Sequence, residues 1–236
     1  MGSAAAWAVH LFTASGVVLA LLALDAVGEG RWLDAFRWLF AALVVDGIDG
    51  TFARAAKVEE RLPRIDGAAL DLIIDYLTYV LIPALVIWRA GMLPEALALP
   101  LAAAILVSAL YVFARRDMKT ADGYFRGFPG LWNVVALYFV LLPPDPVVAA
   151  VIVAAFIVLT FAPVHVPHPF RVHDFGKWLP VAALLWAVAT AGLLVPGMPD
   201  PVQTALLAVS LATTAAIVAM GLWRTVRGDP KPDLSQ

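Results

Sequence analysis

The stretch W-L-F-A-A-L-V-V-D-G-I-D-G-T-F-A-R, residues 38–54, and the stretch G-A-A-L-D-L-I-I-D-Y-L-T-Y-V-L-I-P-A, residues 67–84, decide how this chain folds. With its flanks, each apolar run is long enough to cross a ~30 Å hydrocarbon layer as a helix. Each also carries two aspartates where that layer meets water. The same apolar texture extends in both directions. The chain of 236 residues is 62% hydrophobic and only 14% charged, with a mean hydropathy of +0.87. A soluble domain is about 45–50% apolar and ~25% charged, so this composition excludes a water-soluble enzyme, a disordered chain and a collagen-like fibre. There is no cysteine, which removes disulfides, thiolate metal sites and cysteine nucleophiles. A net charge of −2 offers nothing to nucleic acid.

Apolar runs and turn residues predict an all-α polytopic membrane protein with eight spans, at 8–28, 32–53, 67–88, 95–114, 128–143, 146–163, 178–195 and 202–223. The breaks fall at Gly28-Glu29-Gly30, Gly91-Met92-Leu93-Pro94, Pro143-Pro144-Asp145-Pro146 and Pro196-Gly197-Met198-Pro199. Residues 1–223 read as one transmembrane domain, and 224–236 as a short polar tail. Thirteen of the sixteen Lys and Arg residues fall on one side of this layout. They lie in the second-to-third connection (Arg54, Lys57, Arg61, Arg64), between spans four and five (Arg115, Arg116, Lys119, Arg126), between six and seven (Arg171, Lys177) and in the tail (Arg224, Arg227, Lys231). Only Arg31, Arg37 and Arg89 lie opposite. The positive-inside rule makes the rich side cytoplasmic, with both termini there.

An acidic side chain near the centre of a span costs roughly 2.5–3.5 kcal/mol. Here four gather at the ends of two consecutive spans. Asp46 and Asp49 share a helix face three residues apart, and Asp71 and Asp75 share one four apart. A short connection makes the two helices antiparallel neighbours, so four carboxylates meet on the cytoplasmic side. They repel one another unless cations neutralise them. An all-oxygen donor set suits Mg²⁺ or Mn²⁺, and two bridged cations are an arrangement that serves phosphoryl-type displacement. Gly50, Ala53 and Gly67 remove bulk beside the acids. Arg54 follows Asp46 by eight residues, about 80° round the helix, within reach of a phosphate held there.

These residues resemble the signature of the CDP-alcohol phosphotransferase family, D-x-x-D-G-x-x-A-R followed by G-x-x-x-D-x-x-x-D. All eight fixed positions are filled: Asp46, Asp49, Gly50, Ala53, Arg54, Gly67, Asp71 and Asp75. The twelve residues between Arg54 and Gly67 exceed the family's usual spacing and are similar to its bacterial phosphatidylcholine synthase branch. So are H-L-F-T-A-S-G at 10–16, M-K-T at 118–120, G-Y-F-R-G-F-P-G-L-W-N at 123–133 and H-P-F-R-V at 168–172. The resemblance covers most of 10–173.

The resemblance implies that a hydroxyl attacks the β-phosphate of CDP-diacylglycerol and that CMP leaves. With choline as acceptor the product is phosphatidylcholine. It further implies that Asp46, Asp49, Asp71 and Asp75 hold two divalent cations, Mn²⁺ or Mg²⁺, and that Asp75 is the general base. Asp49, Gly50, Ala53, Arg54 and Gly67 would line the CDP site. The branch also implies a homodimer in the bacterial inner membrane, with the site facing the cytoplasm. A quaternary ammonium is held by aromatic faces, which nominates Tyr76, Tyr79, Tyr124 and Trp132 for choline, although Tyr and Trp also collect at membrane interfaces. Lys119 and Arg171 are nominated for lipid phosphate, against the plainer reading of charge facing headgroups. Serine, inositol or glycerol phosphate as acceptor is the alternative within the family. An ion-coupled transporter is the alternative outside it, opposed by the absence of an internal repeat and by acids that lie at helix ends.

Overall fold

A computed structural model describes residues 2–228. Packing divides the chain into two compact units, the described parts of Met1–Phe113 with Gly130–Ala154, and the described parts of Ala114–Pro129 with Ala155–Gln236.

The first unit is built on α1 (Gly2–Gly28) and α2 (Trp32–Ala55), which lie along each other. The rings of Phe12 and Phe52 meet across them at 5.6 Å. After α2, Lys57 turns the chain through a left-handed conformation (φ 50°) into the short α3 (Val58–Arg61). Asp66 then starts the next helix. Its carboxylate accepts the Ala69 N–H at 3.0 Å, an N-cap that fixes Gly67 as the first residue of α4 (Gly67–Asp75). That start sets which way Asp71 and Asp75 point. At Gly16 of α1 a Cβ would lie 2.7 Å from Ile74 Cγ2, so α1 and α4 approach closely where Gly16 has no side chain.

The rod continues through a π-helical turn, Tyr76–Leu81, into α5 (Ile82–Arg89). Pro83 explains the turn. In an α-helix the carbonyl of Tyr79 would bond the N–H of residue 83, but proline has none, and its ring crowds that carbonyl. The backbone answers with wider i→i+5 turns just before it. Then come α6 (Glu95–Ala114), α7 (Trp132–Leu141) and α8 (Pro146–Phe161). Val80, Val86, Ile87, Ile105, Val112 and Trp132 are among the buried residues of this unit.

In the second unit Tyr124–Arg126 (β1) pairs antiparallel with His165–Pro167 (β2). Helices α9 (Trp178–Leu193) and α10 (Asp200–Arg227) pack together, and the buried hydroxyls of Thr190 and Ser210 bond between them at 3.2 Å. Tyr124, Val172 and Leu179 form its core, with Phe175, Ile217 and Met220 against them. β2 lies on α10 at Gly221, where any Cβ would run into the His165 carbonyl. Arg224 is 2% exposed. Its Nε and Nη2 donate to Asp122 at 3.0 and 2.9 Å.

The eight expected spans each coincide with a helical rod, and the chain is a helical membrane protein. Among the described residues, four rods are long and apolar enough to cross a bilayer: Ser3–Gly28, Gly67–Arg89, Glu95–Ala114 and Asp200–Arg227. The span expected at 128–143 is helical only over the ten residues Trp132–Leu141, a length of about 15 Å at 1.5 Å per residue. α8 and α9 are sixteen residues each. Two further differences stand out. The all-α expectation holds apart from the β1–β2 ladder, whose strands lie in the connections between spans four and five and between spans six and seven. Helix α10 runs on to Arg227, beyond the expected end at 223, so Arg224 is a buried ion-pair partner and not part of a solvated tail. Lys231 and the rest of the tail from 229 lie outside the described residues.

Candidate active site

The first unit contains a cleft between α1, α2 and the 67–89 rod, and its walls include Thr13, Gly16, Asp46, Asp49, Asp71, Asp75 and Thr78. All four aspartates singled out in the sequence therefore face one space. The helical spacings account for this: Asp46 and Asp49 lie one turn apart on α2, and Asp71 and Asp75 one turn apart on α4. One carboxylate oxygen from each of Asp46, Asp49 and Asp71 falls in a set whose members are all within 4.8 Å of one another. Asp75 lines the cleft beside this trio.

The donor set fits a hard divalent cation. Oxygens about 2.1 Å from Mg²⁺ are at most about 4.2 Å apart, so a trio within 4.8 Å closes on an ion by side-chain adjustment alone. Asp49 supplies the independent observation. It is 7% exposed, and its carboxylate has no hydrogen-bond or ion-pair partner among the described residues. A buried, unpaired carboxylate is costly, and a bound cation is what offsets that cost.

The neighbours expected around a nucleotide stand beside these acids. Arg54 is exposed and folds back over Gly50, its Nη1 lying 3.5 Å from where a Gly50 Cβ would be. Its Nη2 donates to Thr51 Oγ1 at 3.1 Å. Ala53 follows Gly50 by three residues on the same helix. Gly67 opens α4 with the His10 ring against it, 3.5 Å from a would-be Cβ.

The aromatic residues divide. The Tyr79 hydroxyl donates to Asp46 Oδ2 at 2.7 Å. The Tyr76 hydroxyl donates to the Leu106 carbonyl at 3.0 Å, and its ring meets Phe113 edge-on at 5.7 Å. Trp132 is fully buried in the first unit. Tyr124 belongs to the second unit, where its hydroxyl donates to Asp174 at 2.9 Å; burial and then Asp174 push its phenol up. Lys119 and Arg171 also belong to the second unit. The Lys119 ammonium lies 5.0 Å from the Phe125 ring centroid, and His168 stacks on the same ring at 5.7 Å.

Sequence reasoning left two residues of this region without a role. Thr13 lines the cleft. His10, one turn before it, is 7% exposed, and its Nε2 has no hydrogen-bond partner among the described residues. The signal was present in H-L-F-T at 10–13, where two polar groups three residues apart interrupt an apolar span.

A scan against protein-family models finds no match. Whole-chain comparison does. A phosphatidylcholine synthase of Pseudomonas aeruginosa is 44% identical over 227 residues, 96% of this chain and 94% of that protein. The chain belongs to the phosphatidylcholine synthases. The phosphatidylcholine synthase of Bradyrhizobium diazoefficiens is 46% identical over 78% of this chain and 69% of its own. That of Borreliella burgdorferi is 35% identical over 73% of this chain and 74% of its own. Membership in the phosphatidylcholine synthases makes the chain a phospholipid-synthesising transferase and sets the transporter reading aside.

Proposed function

We propose that the chain transfers the phosphatidyl group of CDP-diacylglycerol to choline, as a CDP-alcohol phosphotransferase whose active site is the four-aspartate cleft. The observation that carries the site assignment is Asp49, a buried carboxylate unpaired among the described residues and set within 4.8 Å of two others. The names of the relatives supply the product, phosphatidylcholine. The motif supplies the donor, since all eight of its positions are occupied.

Asp46, Asp49, Asp71 and Asp75 would hold two divalent cations, Mn²⁺ or Mg²⁺. When bound, such ions neutralise the diphosphate and absorb the charge left on the departing CMP. The residues of the chain do the rest. Gly50, Ala53 and Gly67 give the nucleotide room against the backbone, and Arg54 is an always-charged donor for its phosphates. Choline's hydroxyl is a weak nucleophile near neutral pH. Asp75 takes its proton as the oxygen bonds to the β-phosphorus and the bond to the CMP oxygen breaks. The faces of Tyr76 and Tyr79, next along the rod from Asp75, offer the π-surface that a trimethylammonium requires. Lys119 and Arg171 serve lipid phosphate.

Eight spans with both termini on the Lys/Arg-rich side put this chemistry at the cytoplasmic face of the bacterial inner membrane. Water-soluble choline and CMP exchange there while the acyl chains stay in the bilayer. The homodimer remains part of this reading through the family resemblance. Radiolabelled choline, supplied to purified protein with CDP-diacylglycerol and Mn²⁺ or Mg²⁺, is expected to enter lipid in step with CMP release. CMP release supported by serine, inositol or glycerol phosphate, with none from choline, would overturn the acceptor.

A further inference from the structure

The phenol of Tyr79 donates to a cleft carboxylate, Asp46 Oδ2, at 2.7 Å. Asp46 is on α2 and Tyr79 on the next rod, thirty-three residues further along. The contact depends on how that rod is wound. Tyr79 sits within the π-helical turn Tyr76–Leu81, where each turn takes more residues than in an α-helix. A residue four positions after Asp75 then falls nearly in line with it along the rod, on the side of Asp46, instead of being rotated past it. Pro83, four residues on, is what makes the α-helical alternative unfavourable at this point. This hydrogen bond between partly buried groups therefore helps fix the orientation of the Asp46 carboxylate.

Outer partners of this kind orient a ligating carboxylate. We propose that Tyr79 is a positioning residue for the divalent-cation site, acting through its hydroxyl on Asp46. This rests on the metal reading given above and deepens it. It also separates two proposed duties of one side chain, the ring for choline and the hydroxyl for the metal site.

Tyr79→Phe removes the hydroxyl and keeps the ring. Mn²⁺ binding to the purified full-length protein, without substrate, is measured by electron paramagnetic resonance titration beside choline KM for the loaded enzyme. Tyr79→Phe is expected to weaken Mn²⁺ binding about 10-fold or more, the range typical of outer-partner loss, with choline KM unchanged. Tyr76→Phe, which loses a hydroxyl bond to a backbone carbonyl in the same turn, is expected to bind Mn²⁺ as the unaltered protein does. That control answers the objection that any lost bond in this turn loosens the site. Mn²⁺ affinity unchanged in Tyr79→Phe, or weakened equally in Tyr76→Phe, would overturn the positioning role. Failure of the metal reading itself looks different: the unaltered protein would bind no Mn²⁺, or Asp49→Asn would leave its binding intact, and the inference would fall with it.

Discussion

At the scale of single residues, the two titratable groups with the clearest consequences lie in different units. Asp75 lines the cleft but stands outside the close-set trio of Asp46, Asp49 and Asp71. That is where a proton acceptor is useful, because a carboxylate wholly committed to cations is a poor base. Asp75→Asn is expected to abolish CMP release while the purified variant still binds CDP-diacylglycerol. Turnover retained by Asp75→Asn would remove the general-base role. In the second unit the His168 imidazole is pushed down to about 4, first by burial and then by the charges of Lys119 and Arg171. The unfolded chain binds that proton near the ordinary value of about 6.5. Between roughly pH 6.5 and 4 the unfolded state therefore holds more protons, and stability falls as the solution is acidified. Above about 6.5 the contribution is fully present. A thermal-unfolding series is expected to show the midpoint dropping across that window, and His168→Phe, which keeps a ring against Phe125, should flatten the drop. An equal slope in the variant would assign the acid sensitivity to other groups.

At the scale of elements, the 67–89 rod is where sequence and function meet most closely. Asp66 caps it, Gly16 of α1 admits it, and Pro83 widens its middle turns. Pro83→Ala restores the N–H that the Tyr79 carbonyl lacks, so the α-helical winding regains its bond. The variant is expected to be at least as heat-stable as the unaltered protein yet slower in CMP release, because Tyr79 rotates away from Asp46. A stable variant with full activity would show that the π-turn is incidental. Much of this element was legible in the chain. The spacing of Asp46, Asp49, Asp71 and Asp75 placed four acids on two facing helix faces, and all four line one cleft. The hydroxyl partner of Asp46 was not legible, because it depends on a crossing and a local winding that no short-range pattern encodes. Nor was the β1–β2 ladder. Y-F-R and H-V-P are too short to show alternation, and their pairing joins residues about forty apart. The buried place of Arg224 was hidden in the same way. A basic residue near an apolar helix end reads as interfacial charge until Asp122, 102 residues away, is brought beside it.

At the scale of the whole molecule, the question is which way the cleft faces. The carboxylates sit at the same end of α2 and of the 67–89 rod as the connection holding Arg54, Lys57, Arg61 and Arg64. The opposite end of that rod leads through Gly91 and Pro94 to α6, with Arg89 its only basic residue. If lysine and arginine bias sets orientation, the connection at 55–66 is cytoplasmic and the one at 90–94 is not. The absence of cysteine from the chain makes this directly measurable. Glu60→Cys and Glu95→Cys are matched substitutions at two exposed positions on opposite ends of the rod. A membrane-impermeant maleimide added to intact spheroplasts is expected to label the Glu95→Cys variant at once, and the Glu60→Cys variant only after the membrane is opened. The reverse pattern would turn the four aspartates outward. A nucleotide-linked donor and free CMP, both of which belong to the cytoplasm, would then have no route to the cleft.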